Sequence, residues 1–108
     1  MIIYNVTINI ENNLHEDWLN WMKTDHIPKV LATGNFKEAK LTRVLIEEEM
    51  GGVTYSVQYR AHSRENLENY YENNADALRL EGLKKFGDKM LAFRTELEII
   101  EEFTASAE

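Results

Sequence analysis

Histidine is the side chain whose ordinary pKa lets it take up and release a proton near neutral pH. This chain has three, and one of them, His26, sits beside Asp25 and two residues before the only proline, Pro28. An imidazole so placed can serve as general acid or base toward a bound molecule. It can equally bond the carbonyls that Pro28 leaves without a donor, and this capping role is the more economical reading. Neighbouring residues on a helix point about 100° apart, so Asp25 need not touch the ring. Three arginines, Arg43, Arg60 and Arg94, carry guanidinium forks suited to clamping a carboxylate or phosphate. They can instead pair with Glu47, Glu96 or Glu98. Trp21 and Tyr71 lie one step off their helical stripes and can line an aromatic-accepting pocket, whereas Trp18 and Tyr70 read as core.

Other chemistries are disfavoured. The chain has no cysteine, which removes disulfides, thiolate nucleophiles and cysteine-ligated zinc. His15, His26 and His62 fall in three different elements, without metal-ligand spacing. Glu47, Glu48 and Glu49 alternate along a strand end and cannot converge on one cation; a solvated edge that resists aggregation explains them better. There is no glycine-rich phosphate loop and no Ser-His-Asp order, so no metal or cofactor is expected.

The elements that must position these groups follow from the hydrophobic period. Tyr4, Val6, Ile8 and Ile10 alternate with Asn5, Thr7 and Asn9, the signature of a strand with one face on a core. From Leu14 the period changes to that of a helix, with Leu14, Trp18, Trp21 and Met22 on one stripe and Asn13 as N-cap. Pro28 predicts an end or kink near residues 25–27, followed by one more apolar turn closed at Thr33-Gly34-Asn35. Strands follow over 36–49 and 53–61, joined by a tight turn at Gly51-Gly52. Ser63 caps a second helix with Leu67, Tyr70, Tyr71, Asn74, Ala75 and Leu78 on its stripe; Gly82 interrupts it and Gly87 ends it. A last strand carries Phe93, Leu97 and Ile99 on one parity and Arg94, Glu96 and Glu98 on the other.

Strand–helix–strand–strand–helix–strand is the split βαβ order of an α+β, ferredoxin-like fold: four antiparallel strands with both helices on one face. A two-residue turn would set Arg43 opposite Arg60, Val44 opposite Tyr59, Leu45 opposite Gln58 and Ile46 opposite Val57. Asn5, Gln58, Arg43, Arg60, Arg94 and Glu96 then share the face away from the helices, with Leu45 and Ile100 among them. Two copies joined through that face would enclose a polar-lined chamber, so a homodimer is expected, with Asn5 and Gln58 as further ligand contacts.

The 108 residues suffice for one domain, expected over 1–103 with a frayed tail at 104–108. Nineteen acidic against 12 basic residues leave a net charge of −7 and no basic stripe, which argues against a nucleic-acid partner. The apolar opening lacks a basic leader and a cleavage site and is too short to span a bilayer, so no membrane partner and a cytoplasmic location are expected.

The stretch Trp18-Leu19-Asn20-Trp21-Met22-Lys23-Thr24-Asp25-His26-Ile27-Pro28, with its His-x-Pro step, resembles the dimeric α/β-barrel superfamily. So do residues 77–83 and 93–100, and the whole chain is most similar to a bacterial domain-of-unknown-function family there, related to EthD-like proteins and antibiotic-biosynthesis monooxygenases. The resemblance implies a homodimer with a cleft between sheet and helices. It also implies cofactor-independent chemistry on small, often aromatic molecules in some members, using a histidine that maps to His26. No second histidine or Asn-Trp arrangement matches the haem-degrading members. Two hypotheses follow: an enzyme with His26 as acid/base and arginines orienting an anion, or a non-catalytic homodimeric module binding a ligand or a protein.

Overall fold

A computed structural model describes residues 1–46 and 51–106. Strand β1 (Ile2–Ile10) leads to helix α1 (His15–Trp21), a π turn (Met22–His26) and α2 (Ile27–Ala32). Then come β2 (Phe36–Arg43), β3 (Val53–Ala61), α3 (Arg64–Tyr70), a second π turn (Tyr71–Ala75), α4 (Asp76–Phe86), a 3₁₀ turn (Gly87–Lys89) and β4 (Met90–Glu98). The sheet is antiparallel in the order β2-β3-β1-β4. This is the expected ferredoxin-like architecture. The alternation of β1 works as expected, since Tyr4, Val6, Ile8 and Ile10 are all buried, against Trp18, Met22, Leu67, Tyr70 and Leu78 from the helices. No helix among the described residues is long and apolar enough to cross a membrane.

Local signals account for most of the boundaries. The Ser63 hydroxyl accepts from the Asn66 amide at 3.1 Å and caps α3. Gly34 and Gly87 take positive φ where α2 and α4 end. Asn13 does not cap α1; the helix starts after Leu14, whose amide bonds the Glu11 carbonyl at 3.0 Å, with no side-chain cap. Gly82 does not interrupt α4 but lies buried within it, where Trp21 and Met90 cover it.

The first helix neither ends nor caps at His26. It runs on through the π turn, in which the Ile27 amide bonds back five residues to the Met22 carbonyl. The wider turn carries the chain past Pro28, whose ring would clash with the preceding turn of a regular α-helix. The second π turn has no such proline.

Two face assignments are corrected. In the observed register Arg60 pairs with Glu38 and Arg43 with Tyr55, with a bulge between Phe36 and Glu38. Relative to the two-residue-turn register this is an odd slip, which exchanges faces. Arg43 therefore ends β2 on the helix-side parity, Tyr59 faces Ala39, Gln58 faces Lys40 and Val57 faces Leu41. Beyond β2, Leu45 and Ile46 are exposed, not partners of β3. At Gly52 a Cβ would fall 2.6 Å from Asn9 Oδ1 and φ is +84°, so the glycine is required there. The expectations for Glu47, Glu48, Glu49 and Met50, and for the last two residues of the tail, lie outside the described residues.

In β4 the parity is the reverse of that expected. Arg94 pairs with Val6 and Glu96 with Tyr4, so both stand on the helix side. Leu91, Phe93 and Leu97 stand on the open face, 59%, 65% and 43% exposed.

Candidate functional site

Between the helices and the helix-facing side of β1 and β4 lies a recess of about 50 Å³ that opens outward at one end. The π turn shapes its inner wall. Five residues on along a regular α-helix is about 140° around the axis. Trp21 and His26 nevertheless stack, with ring centroids 4.7 Å apart and planes 26° apart. The widened turn swings His26 round onto Trp21, so both rings line the recess. Gly82 gives them room: a Cβ there would meet the Trp21 ring at 3.3 Å. Tyr4 and Tyr70 close the other side, their centroids 5.7 Å apart.

The polar atoms of this wall are unusual. Trp18 Nε1, His26 Nδ1 and Arg79 Nε are buried without a hydrogen-bond partner among the described residues, and all three residues line the recess. Buried polar atoms are nearly always paired, so three around one cavity are a signal of a missing partner. His26 makes no capping bond. Burial holds its pKa below the ordinary imidazole value, Glu81 and Asp25 partly oppose this, and Lys29 and Arg94 add to it. The imidazole is therefore neutral near pH 7 and able to accept a proton.

Arg79 reaches in from α4; its Nη2 donates to Tyr4 Oη at 2.9 Å, and its guanidinium carbon is 6.0 Å from the Tyr71 ring centre. Arg94 enters from β4 at the mouth. Tyr71 stands just behind the lining, edge-on to Tyr4 at 5.6 Å, and donates to Glu96 Oε2 at 2.7 Å. Burial and that bond push its pKa up, while the same bond and the Arg64 contact at 2.7 Å hold Glu96 down.

Of the residues singled out from sequence, His26, Trp21 and Arg94 thus meet in one cavity, with Tyr71 beside them. Asn5, Gln58 and Arg60 lie on the open face. Asn5 accepts from Ser56 Oγ at 2.6 Å and donates to Thr95 Oγ1 at 3.2 Å, tying β3, β1 and β4 together. Arg60 is held by Glu102 at 2.5 Å and Glu38 at 3.5 Å. Arg43 is exposed and outside the recess. Sequence reasoning missed Arg79 and Gly82; Arg79 lies four residues after the stripe residue Ala75, a spacing that places it on the same helix face. No cluster of metal-ligating side chains occurs among the described residues.

A ferredoxin-like sheet with an aromatic recess beneath its helices defines a class of small α+β cleft proteins. Residues 1–100 match the family model described as a domain of unknown function, DUF4286, and the chain belongs to that family. No curated protein matches it. Among solved structures, it is similar to a dimeric ferredoxin-like protein from an uncultured marine organism, at 16% identity and TM-score 0.71 over 97% of this chain and 100% of that one. It is also similar to an EthD family protein from Bacillus halodurans, at 14% identity and TM-score 0.65 over 91% and 100%. A candidate antibiotic biosynthesis monooxygenase from Deinococcus radiodurans aligns at 10% identity and TM-score 0.62 over 99% and 100%.

Proposed function

We propose that this protein binds a small, largely apolar organic molecule in the recess and that His26 exchanges a proton with it, without a cofactor. The observation that carries the reading is the trio of unpartnered polar atoms, on Trp18, His26 and Arg79, around one aromatic cavity. A neutral, stacked imidazole at such a site is poised as a general base. The EthD and monooxygenase neighbours have the same fold and make small-molecule chemistry a natural direction, although fold alone carries no activity.

The acting species in this proposal is a homodimer. Support comes from Leu91, Phe93 and Leu97, a row of large apolar side chains on the open sheet face, and from the dimeric ferredoxin-like neighbour. The single domain is proposed to span residues 1–103, with the remaining residues as tail.

A neutral carbon acid tests the reading. With 2-tetralone in deuterated buffer, wild type should accelerate deuterium incorporation beside the carbonyl, and His26→Phe should not. Equal rates would remove proton transfer. Failure of 2-tetralone to move the His26 and Trp21 NMR signals would remove the binding site itself. The second reading, a non-catalytic homodimeric module, is favoured by the same exposed apolar row and predicts shifted signals with no exchange.

A further inference from the structure

We propose that the ligand of this recess is a carboxylate-bearing molecule with a flat apolar body, its carboxylate held at the mouth by Arg79 and Arg94. This deepens the cleft-binding reading above and rests on it. Two arginines line the cavity and, among the described residues, no aspartate or glutamate does. In a chain with 19 acidic residues against 12 basic ones, such a local excess of positive charge is conspicuous. Of the nearby acids, Asp25 and Glu81 are engaged with Lys29 at 3.4 and 3.1 Å, and Glu96 with Arg64 and Tyr71 at 2.7 Å each; Asp76 stands on the outer groove and not on the recess. Arg94 makes no ion pair or hydrogen bond among the described residues, and Arg79 spends one of its five N–H donors on Tyr4.

The orphaned atoms point to the same chemistry. The indole Nε1–H of Trp18 and the guanidinium Nε–H of Arg79 can act only as donors. Any partner for them is an acceptor, as a carboxylate is. Arg79 and Arg94 line both the recess and the shallower groove outside it, along with Met90 and Ala92, so the cationic groups stand at the entrance. Deeper in, the walls are the rings of Trp21, His26, Tyr4 and Tyr70. An anionic head at the mouth with a planar body inside matches this division.

The probes are 2-naphthoate and the uncharged 2-naphthamide, nearly equal in size, titrated by calorimetry against the full chain. Wild type should bind the carboxylate at least about tenfold more tightly, the scale of a charge-assisted arginine contact, and Arg94→Met should erase that preference. Arg79→Met should do the same; if its loss of the Tyr4 bond unfolds the protein, the exposed Arg94 still decides the matter. Arg60→Met, on the open face, should leave the preference intact. Equal affinity of both probes for wild type would overturn the proposal while leaving the cleft a binding site. A preference that survives Arg94→Met, or that Arg60→Met abolishes, would also overturn it. Absence of binding by either probe would sink the cleft reading and this proposal together.

Discussion

Replacing His26 by Phe should stabilise the protein while ending its proton chemistry. The ring would keep its stack on Trp21, now 4.7 Å away, and would occupy space at the edge of an existing recess. What disappears is a buried Nδ1 with no hydrogen-bond partner among the described residues. An unsatisfied buried polar atom costs about 1–3 kcal/mol, and His26 is half-buried, so a gain of about 1 kcal/mol near neutral pH is expected. For a domain of this size that corresponds to a rise in Tm of roughly 4–8 °C.

The gain should widen in acid. Burial depresses the folded-state pKa of His26, with Glu81 and Asp25 opposing and Lys29 and Arg94 reinforcing. Between the folded value and the ordinary value near 6.5 the unfolded chain binds more protons, so wild type loses stability as pH falls through that window. The Phe variant has no such loss at this position. Urea melts of both proteins at about pH 7.5 and about pH 5.5 measure the difference. A folded variant that is less stable than wild type by about 1 kcal/mol or more would refute the reasoning, because it would mean that the imidazole makes the capping bonds this structure lacks.

Three further outcomes are expected. Asn35 is only 2% exposed and accepts from Asn66 at 3.2 Å and Asn69 at 3.1 Å, so Asn35→Ala should cost about 1–3 kcal/mol in urea melts; no measurable loss would show that these bonds are replaced by water without penalty. Gly82→Ala should leave Tm nearly unchanged, a helix-propensity gain of about 1 kcal/mol offsetting the crowding of Trp21, yet weaken 2-naphthamide binding, and unaltered binding would place the ligand elsewhere. Leu91→Glu combined with Phe93→Glu should give a folded monomer in sedimentation, where wild type runs at twice the monomer mass; a wild-type monomer would reject the dimer.

What could be read beforehand was whatever is set locally. The period of β1, the Ser63 cap and the glycines after α2 and α4 need no knowledge of the rest of the chain. The π turns do: whether a helix widens at Met22–His26 depends on what the extra residue packs against, and Pro28 signals a disturbance without stating its form. The side of β4 is not legible locally, because both of its parities hold apolar residues. Size alone sends Phe93 and Leu97 to the core, whereas Met90 and Ala92 face the helices. That reversal put Arg94 in the recess with His26 instead of on the open sheet. The register of β2 is not local either: a glycine pair marks where the chain turns but not how many residues the connection takes, and the partners of Arg43, Gln58 and Arg60 depend on that number.

A crystal structure of the protein soaked in 2-naphthoate interrogates the recess at atomic level. The ring system should lie against Trp21 and His26, with its carboxylate oxygens within hydrogen-bond reach of Arg79 and Arg94. Density for the compound on the open sheet instead, beside Arg60 and Gln58, with the recess left as it is, would contradict the assignment of this cavity as the working site.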